Sequence, residues 1–293
     1  MMSYRPSDLD AALGERFAGF KLLGQGGEGA VFAVYDRVRK EDLALKLTRD
    51  TGEPGLAERF EREYQILAVT RSDRLVRVFN HGRAMVRMAD GQGSAHFWFS
   101  MEKCDSSVRK SFQRMGLKER LALVMQMLDG LALLHAKSIA HRDIKPDNLF
   151  LIAGTRGVSM KIGDFGIATT TRVAPNMAGG FIHGSPAYLA PERWRNSGDA
   201  DWRPADQYAA GVTMFEILTC GEMPLDFTGG HLRGHERSGI RPLFIPEMPR
   251  HRFAAVDQVL AQMLSKKPEW RHVDVAECKR ELEAALLQDG VVV

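Results

Sequence analysis

The sequence predicts an α+β chain in two parts: a small, mostly antiparallel sheet with one helix, then a mainly helical remainder. Two observations predict it. Up to residue 102 the apolar residues fall in short β-branched and aromatic runs, separated by glycine and turn residues. Beyond residue 105 they recur every three or four positions over long windows, as on amphipathic helices. Between two apolar runs of the helical part lies a dense polar stretch: His141, Arg142, Asp143, Ile144, Lys145, Pro146, Asp147 and Asn148.

The bulk numbers narrow the function classes. A chain of 293 residues is one large domain or two small ones. Hydrophobic content of 44% and charged content of 26% are ordinary for a soluble globular protein. The net charge of +3 comes from dispersed Lys and Arg, which gives no support for a nucleic-acid or membrane partner. Three cysteines, Cys104, Cys220 and Cys278, share no metal-ligand spacing, and a reduced, cytoplasmic compartment is expected. The first ten residues have no apolar core of a signal peptide, and no run approaches the roughly 18 apolar residues of a membrane span.

In order, residues 1–19 read as a polar lead-in with a short helix around 9–17. Residues 20–23 form a strand that enters a glycine-rich turn of Gly24, Gln25, Gly26, Gly27, Glu28 and Gly29. Ala30 and Val31 then open a second strand reaching Tyr35. Exposed N–H groups in such a turn suit phosphate. A dinucleotide-binding turn would lead into a helix, and this one leads into a strand; a plain tight hairpin is the alternative. Residues 43–47 are a third strand with a lone lysine, Lys46. Residues 56–69 are helical, with Glu63 on or beside the apolar stripe of Leu56, Phe60, Tyr64 and Leu67. Glu63 is then either an edge carboxylate or a buried partner for Lys46. Residues 75–81 and 95–102 are two more strands, joined by a turn at 89–94.

Residues 118–137 carry Leu121, Val124, Leu128, Leu131 and Leu134 on one helical face. The helix leads into the polar stretch, where Pro146 argues against a helix interior. Taken alone, that stretch is a solvated charged turn. A short strand at 160–163 precedes Asp164, Phe165 and Gly166. Residues 169–185 form a long polar loop, and such loops in compact domains are usually functional. Helical patterns follow at 205–218, 253–264 and 273–287, and a tail at 288–293 is expected to fray.

In this order the pieces resemble the eukaryotic-type (Hanks-type) serine/threonine protein kinase family over nearly the whole chain. Gly24, Gly26, Gly29 and Val31 resemble its glycine-rich loop, and Leu43, Ala44, Leu45 and Lys46 its third-strand lysine element. Glu63 resembles the helix C glutamate. His141, Arg142, Asp143 and Asn148 resemble the catalytic loop, Asp164, Phe165 and Gly166 the metal-binding triplet, and Ala190, Pro191 and Glu192 the end of the activation segment. Asp206 resembles the buried aspartate of helix F, and Arg271 the late arginine that pairs with Glu192. The resemblance implies a bilobal kinase fold over 20–287. It divides into an N-lobe at 20–102 with a five-stranded antiparallel sheet and helix C, a hinge at 102–105 and a mainly helical C-lobe at 106–287. The compact length resembles bacterial members.

The resemblance also implies roles. Lys46, held by Glu63, would hold ATP phosphates. Asn148 and Asp164 would bind Mg2+, with Mn2+ as an alternative. Asp143 would accept or orient the hydroxyl proton of a protein substrate, and Lys145 would neutralise the moving phosphate. Leu23, Val31 and Ala44 would enclose adenine from one side and Phe150 from the other. Met101 would be the gatekeeper, and the backbone of 102–104, from Glu102 to Cys104, would hydrogen-bond the base. Residues 24–30, from Gly24 to Ala30, would cover the phosphates. Arg142 would await a phosphate on Thr169, Thr170, Thr171 or Ser185, placed there by a transient homodimer. Ser185 stands where relatives usually have threonine. A nucleotide-binding pseudokinase scaffold is the alternative function; Lys46, Asp143, Asn148 and Asp164 all being present weighs against it. A kinase of small molecules is a third, and the complete segment from 184 to 192 weighs against that.

Overall fold

Antiparallel pairing organises the first of two units, Met1–Asp105; the second is Ser106–Val293. The structure, a computed structural model, describes residues 4–26, 29–49, 51–52, 55–87, 93–154, 157–166, 168–170, 184–194, 201–248 and 253–291. In the first unit α1 (Pro6–Leu13) precedes β1 (Phe17–Gly26), β2 (Gly29–Asp36) and β3 (Glu41–Arg49). Then come α2 (Leu56–Val69), β4 (Val78–Arg87) and β5 (Gly93–Glu102). The sheet order is β1-β2-β3-β5-β4, with every neighbouring pair antiparallel.

Strand alternation gives the sheet two different faces. Phe32, Val34, Leu43, Leu45, Leu47 and Trp98 form one face, and the buried Leu9 and Leu13 of α1 and Phe17 complete its core. The helix expected around 9–17 therefore forms earlier, because Pro6 suits its first turn and Phe17 is taken into β1. The opposite face carries Val31 opposite Lys46 opposite Phe99, and Ala33 opposite Ala44 opposite Met101. On α2, Phe60, Glu63, Ile66 and Leu67 are buried, and the Phe60 ring lies 5.1 Å from that of Phe99. The strand expected at 75–81 runs from Val78 to Arg87, since pairing with β5 begins only at Val78 opposite Met101.

The second unit is mainly helical. Its strands are β6 (Ser106–Ser107), β7 (Ile139–Ala140), β8 (Leu149–Gly154), β9 (Gly157–Ile162) and β10 (Thr169–Thr170). They pair as β6-β8-β9 and as β7-β10. Its helices are α3 (Leu117–Ala136), α4 (Pro191–Trp194), α5 (Arg203–Leu218), α6 (His231–Arg237), α7 (Ala254–Met263) and α8 (Val275–Gln288). Residues 205–218 of α5 are all buried, and α3 and α7 pack against it. The predicted stripe on α3, Leu121, Val124, Leu128, Leu131 and Leu134, is buried throughout. The tail does not fray as far as Val291. Asp289 accepts the N–H groups of Ala255 and Val256 at the start of α7, and Val291 is buried. Among the described residues no helix is long and apolar enough to cross a membrane.

Candidate active site

Each unit holds a constellation of its own. In the first, β3 presents Lys46 on the sheet face that α2 covers. Lys46 Nζ donates to both carboxylate oxygens of Glu63 at 2.8 Å. The two residues are 9% and 3% exposed, so this is a buried pair and not a solvated edge contact. Val31, Ala44 and Met101 share the face of Lys46. Leu23 is exposed at a break in the β1–β2 register. Gly24, Gln25 and Gly26 end β1, whereas Gly27 and Glu28 lie outside the described residues. Ala30 is buried opposite Leu47. Gly29 has φ of +144°, and a Cβ there would stand 2.1 Å from the carbonyl oxygen of Leu47, so glycine is required. At the end of β5, Glu102 donates its N–H to the carbonyl of Arg77 at 2.8 Å. That N–H is therefore not a donor for a ligand. Cys104 is partly exposed.

In the second unit the polar stretch folds around Asp143. Lys145 Nζ donates to Asp143 Oδ2 at 2.6 Å and to Ser185 Oγ at 2.6 Å. Asn148 Nδ2 donates to Asp143 Oδ2 at 2.9 Å and to its backbone carbonyl at 2.8 Å. The Ser185 N–H donates to Asp143 Oδ1 at 3.0 Å. Both carboxylate oxygens are thus oriented from three residues. The β8–β9 register, Leu149 opposite Ile162, continues as Gly163 N–H donating to the Asn148 carbonyl at 3.0 Å. This places Asn148 one residue from Asp164, whose φ is +62°. Phe150 is half-buried in β8.

Beneath this loop, Asp206 at the start of α5 accepts the backbone N–H of His141 and of Arg142, each at 2.7 Å. The buried His135 also donates Nε2–H to it at 3.0 Å. His141 meets Phe165 edge-on at 4.7 Å, and it does more than pack. Its Nε2–H donates to the Gly163 carbonyl at 3.0 Å, and its Nδ1 accepts the Asp143 N–H at 3.3 Å. The guanidinium of Arg142 stacks on the buried Trp202, 4.0 Å from the ring centroid, and Arg193 stacks on the same ring at 3.9 Å. Burial pulls Arg193 below the usual arginine range. Thr169 and Thr170 pair through their backbones with Ala140 and Ile139, while Thr171 lies outside the described residues. Arg271 grips Glu192 with two parallel hydrogen bonds of 2.7 and 2.9 Å.

Sequence reasoning missed one network here. Arg109 donates to Asp147 at 3.1 Å, to Glu216 of α5 and to the hydroxyl of Tyr188, which itself donates to Glu216 at 2.7 Å. Asp147 is half exposed and tied to Arg109. Burial alone would lower the Arg109 guanidinium; Glu216 outweighs it and raises it. Burial, then Glu216, also pushes the Tyr188 phenol up. The available signal was Glu216, a carboxylate inside the apolar second half of the pattern at 205–218. Arg109 carried no signal of its own.

A family model described as the protein kinase domain matches residues 17–280. Among similar proteins, serine/threonine-protein kinase Pkn1 of Myxococcus xanthus is 31% identical over 95% of this chain and 40% of its own length. PknH of Mycobacterium bovis is 30% identical over 94% of this chain and 46% of its length. PknB of Mycobacterium tuberculosis is 30% identical over 92% of this chain and 43% of its length. The chain therefore spans less than half the length of these curated relatives. With the domain model running from the start of β1 into α8, this chain belongs to the eukaryotic-type protein kinase family.

Proposed function

We propose that the chain is an ATP-dependent serine/threonine protein kinase, transferring the γ-phosphate of ATP to hydroxyls of protein substrates. The observation that carries this reading is the environment of Asp143. Lys145, Asn148 and the Ser185 N–H all orient one carboxylate, which leaves it ordered to receive an acceptor hydroxyl. Lys145 adds a cation beside it, where negative charge moves during transfer. The acceptor proton would pass towards Asp143, while Lys46, buttressed by Glu63, would bind nucleotide phosphate.

The residues fit a divalent metal. Asn148 uses its amide nitrogen on Asp143, which leaves the amide oxygen as its remaining acceptor, and Asp164 would add a carboxylate. Two hard oxygen donors suit Mg2+, with Mn2+ as an alternative. When bound, the metal would supply charge neutralisation at the nucleotide phosphates. Arg142 supports a further reading, in which a phosphate added to Thr169, Thr170 or Thr171 by a transiently paired second copy engages its guanidinium. The Ser185 hydroxyl already accepts from Lys145, which makes Ser185 the less suitable site. A cytoplasmic setting belongs to the same proposal, supported by three free thiols.

Labelled ATP with Mg2+, offered with the chain alone and with a generic basic protein, tests the activity. Transfer to serine or threonine that is lost in Asp143→Asn, with nucleotide binding retained, is expected. Nucleotide binding without any transfer would favour the scaffold reading instead. Mass spectrometry after incubation, finding no phosphate on residues 169–171, would remove the regulatory part.

A further inference from the structure

Ser185 carries two of the contacts that order Asp143 and Lys145, so whatever holds its neighbour bears on the same site. Pro186 follows, opening a short helical turn at Pro186–Tyr188 in which the Tyr188 N–H returns to the Ser185 carbonyl at 2.9 Å. The Pro186 carbonyl faces His235 Nε2 at 2.8 Å. His235 Nδ1 faces the hydroxyl of Tyr208, on α5, also at 2.8 Å. A carbonyl only accepts, so Nε2 carries the proton, and neutral imidazole then accepts the Tyr208 O–H at Nδ1. One tautomer satisfies every polar atom of the ring.

His235 is fully buried on α6 between Phe227, with ring centroids 4.9 Å apart, and Trp194 at 6.3 Å. Its position depends on the glycine before it. A Cβ on Gly234 would stand 2.3 Å from the Phe227 ring and 2.6 Å from the Asp226 carbonyl oxygen, so glycine lets α6 approach this closely. A continuous line of contacts therefore runs from Tyr208 through His235 and Pro186 to Ser185 and Asp143.

We infer that His235 is a positioning residue for the protein acceptor. Through the Pro186 carbonyl it sets the orientation of the segment that carries Ser185, and so the docking of the acceptor peptide beside Asp143. It has no role in holding nucleotide. This deepens the proposed kinase reading and rests on it. A small misplacement next to a reacting group costs one to two orders of magnitude in rate, and here the loss falls on the acceptor.

The test compares wild type, His235→Leu and His235→Gln in phosphate transfer to a generic basic protein, with KM determined separately for acceptor and for ATP. The leucine variant is expected to raise the acceptor KM about tenfold while the ATP KM stays within about twofold. The glutamine variant keeps an N–H near the Nε2 position and should recover most of the loss. Equal damage to both KM values, no damage, or a glutamine variant no better than leucine would overturn the inference. If wild type transfers nothing, the kinase reading fails instead, and a long-range proton–nitrogen NMR spectrum still judges the contact. A neutral, Nε2-protonated His235 at pH 7 supports it. An Nδ1-protonated or doubly protonated ring overturns it.

Discussion

The carboxylate of Asp206 receives the backbone N–H of Arg142 at 2.7 Å while Arg142 holds a φ of +73°. A non-glycine residue in the left-handed region costs of order 1 kcal/mol or more and persists only where its surroundings over-determine it. Here the determinant lies 64 residues away, on the first turn of a buried helix. The same carboxylate also holds His141, so one side chain sets the backbone on which Asp143 sits.

Asp206→Asn replaces one acceptor oxygen with a donor that faces a buried N–H. Loss of about 2–3 kcal/mol of unfolding free energy is expected from an unsatisfied buried group, together with a marked fall in phosphate transfer. Urea titration and a transfer assay measure both. A variant as stable and active as wild type would show that the loop backbone is held by other means.

Arg109 and Asp147 should differ sharply when removed. Arg109→Gln leaves Glu216 buried beside Tyr188 without its cation, and about 3–5 kcal/mol of destabilisation is expected. Asp147→Asn removes only a half-exposed partner of Arg109 and should cost less than about 1 kcal/mol. Thermal unfolding of the two variants side by side decides this. Equal losses would mean that the Arg109–Asp147 contact, not Glu216, anchors the network.

Glu63→Gln keeps a hydrogen-bond acceptor for Lys46 but removes the opposing charge from a buried pair. Phosphate transfer should fall by about 10²-fold, with a raised ATP KM and far-ultraviolet circular dichroism unchanged. Full activity in this variant would mean that Lys46 is positioned without Glu63.

His235 gives a pH prediction. Its pKa is lowered from 6.5 to about 4, chiefly by burial; the Pro186 carbonyl opposes the shift, and Lys266 and His231 add to it. The group is neutral in the fold, so the unfolded chain binds the extra proton between those values. Stability from this residue is therefore fully present above pH 6.5 and is lost as pH falls through about 4. Over that window the loss approaches about 3 kcal/mol, and it should be absent from the pH–stability curve of His235→Gln. Parallel pH–stability curves for wild type and His235→Gln would rule out titration of this ring.

Much of the fold was legible because its signals are local. Alternation marks β2 and β3, and the stripe on α3 repeats at helical spacing. What failed had weak or misleading local signals. The seven residues of α6 include a glycine and two histidines and show no apolar period. The helix predicted at 9–17 was misplaced because Phe17 looks equally apolar in a helix or in β1. The tail looked frayed because nothing near Asp289 in sequence announces that it caps α7.

By itself, then, the sequence determined which side chains could do chemistry and on what kind of element each stands: Lys46 in a strand, Glu63 on a helix, Asp143 in a proline-broken loop. Residue type and short-range period carry that information. The tertiary structure alone decided which of them meet, and what holds them. Lys46 finds Glu63 across 17 positions, Arg109 finds Glu216 across 107, and Pro186 finds His235 across 49. Such contacts depend on which buried faces pack together. Hydrophobic burial favours that packing without regard to direction, and each buried polar group must then find its partner within the packed unit.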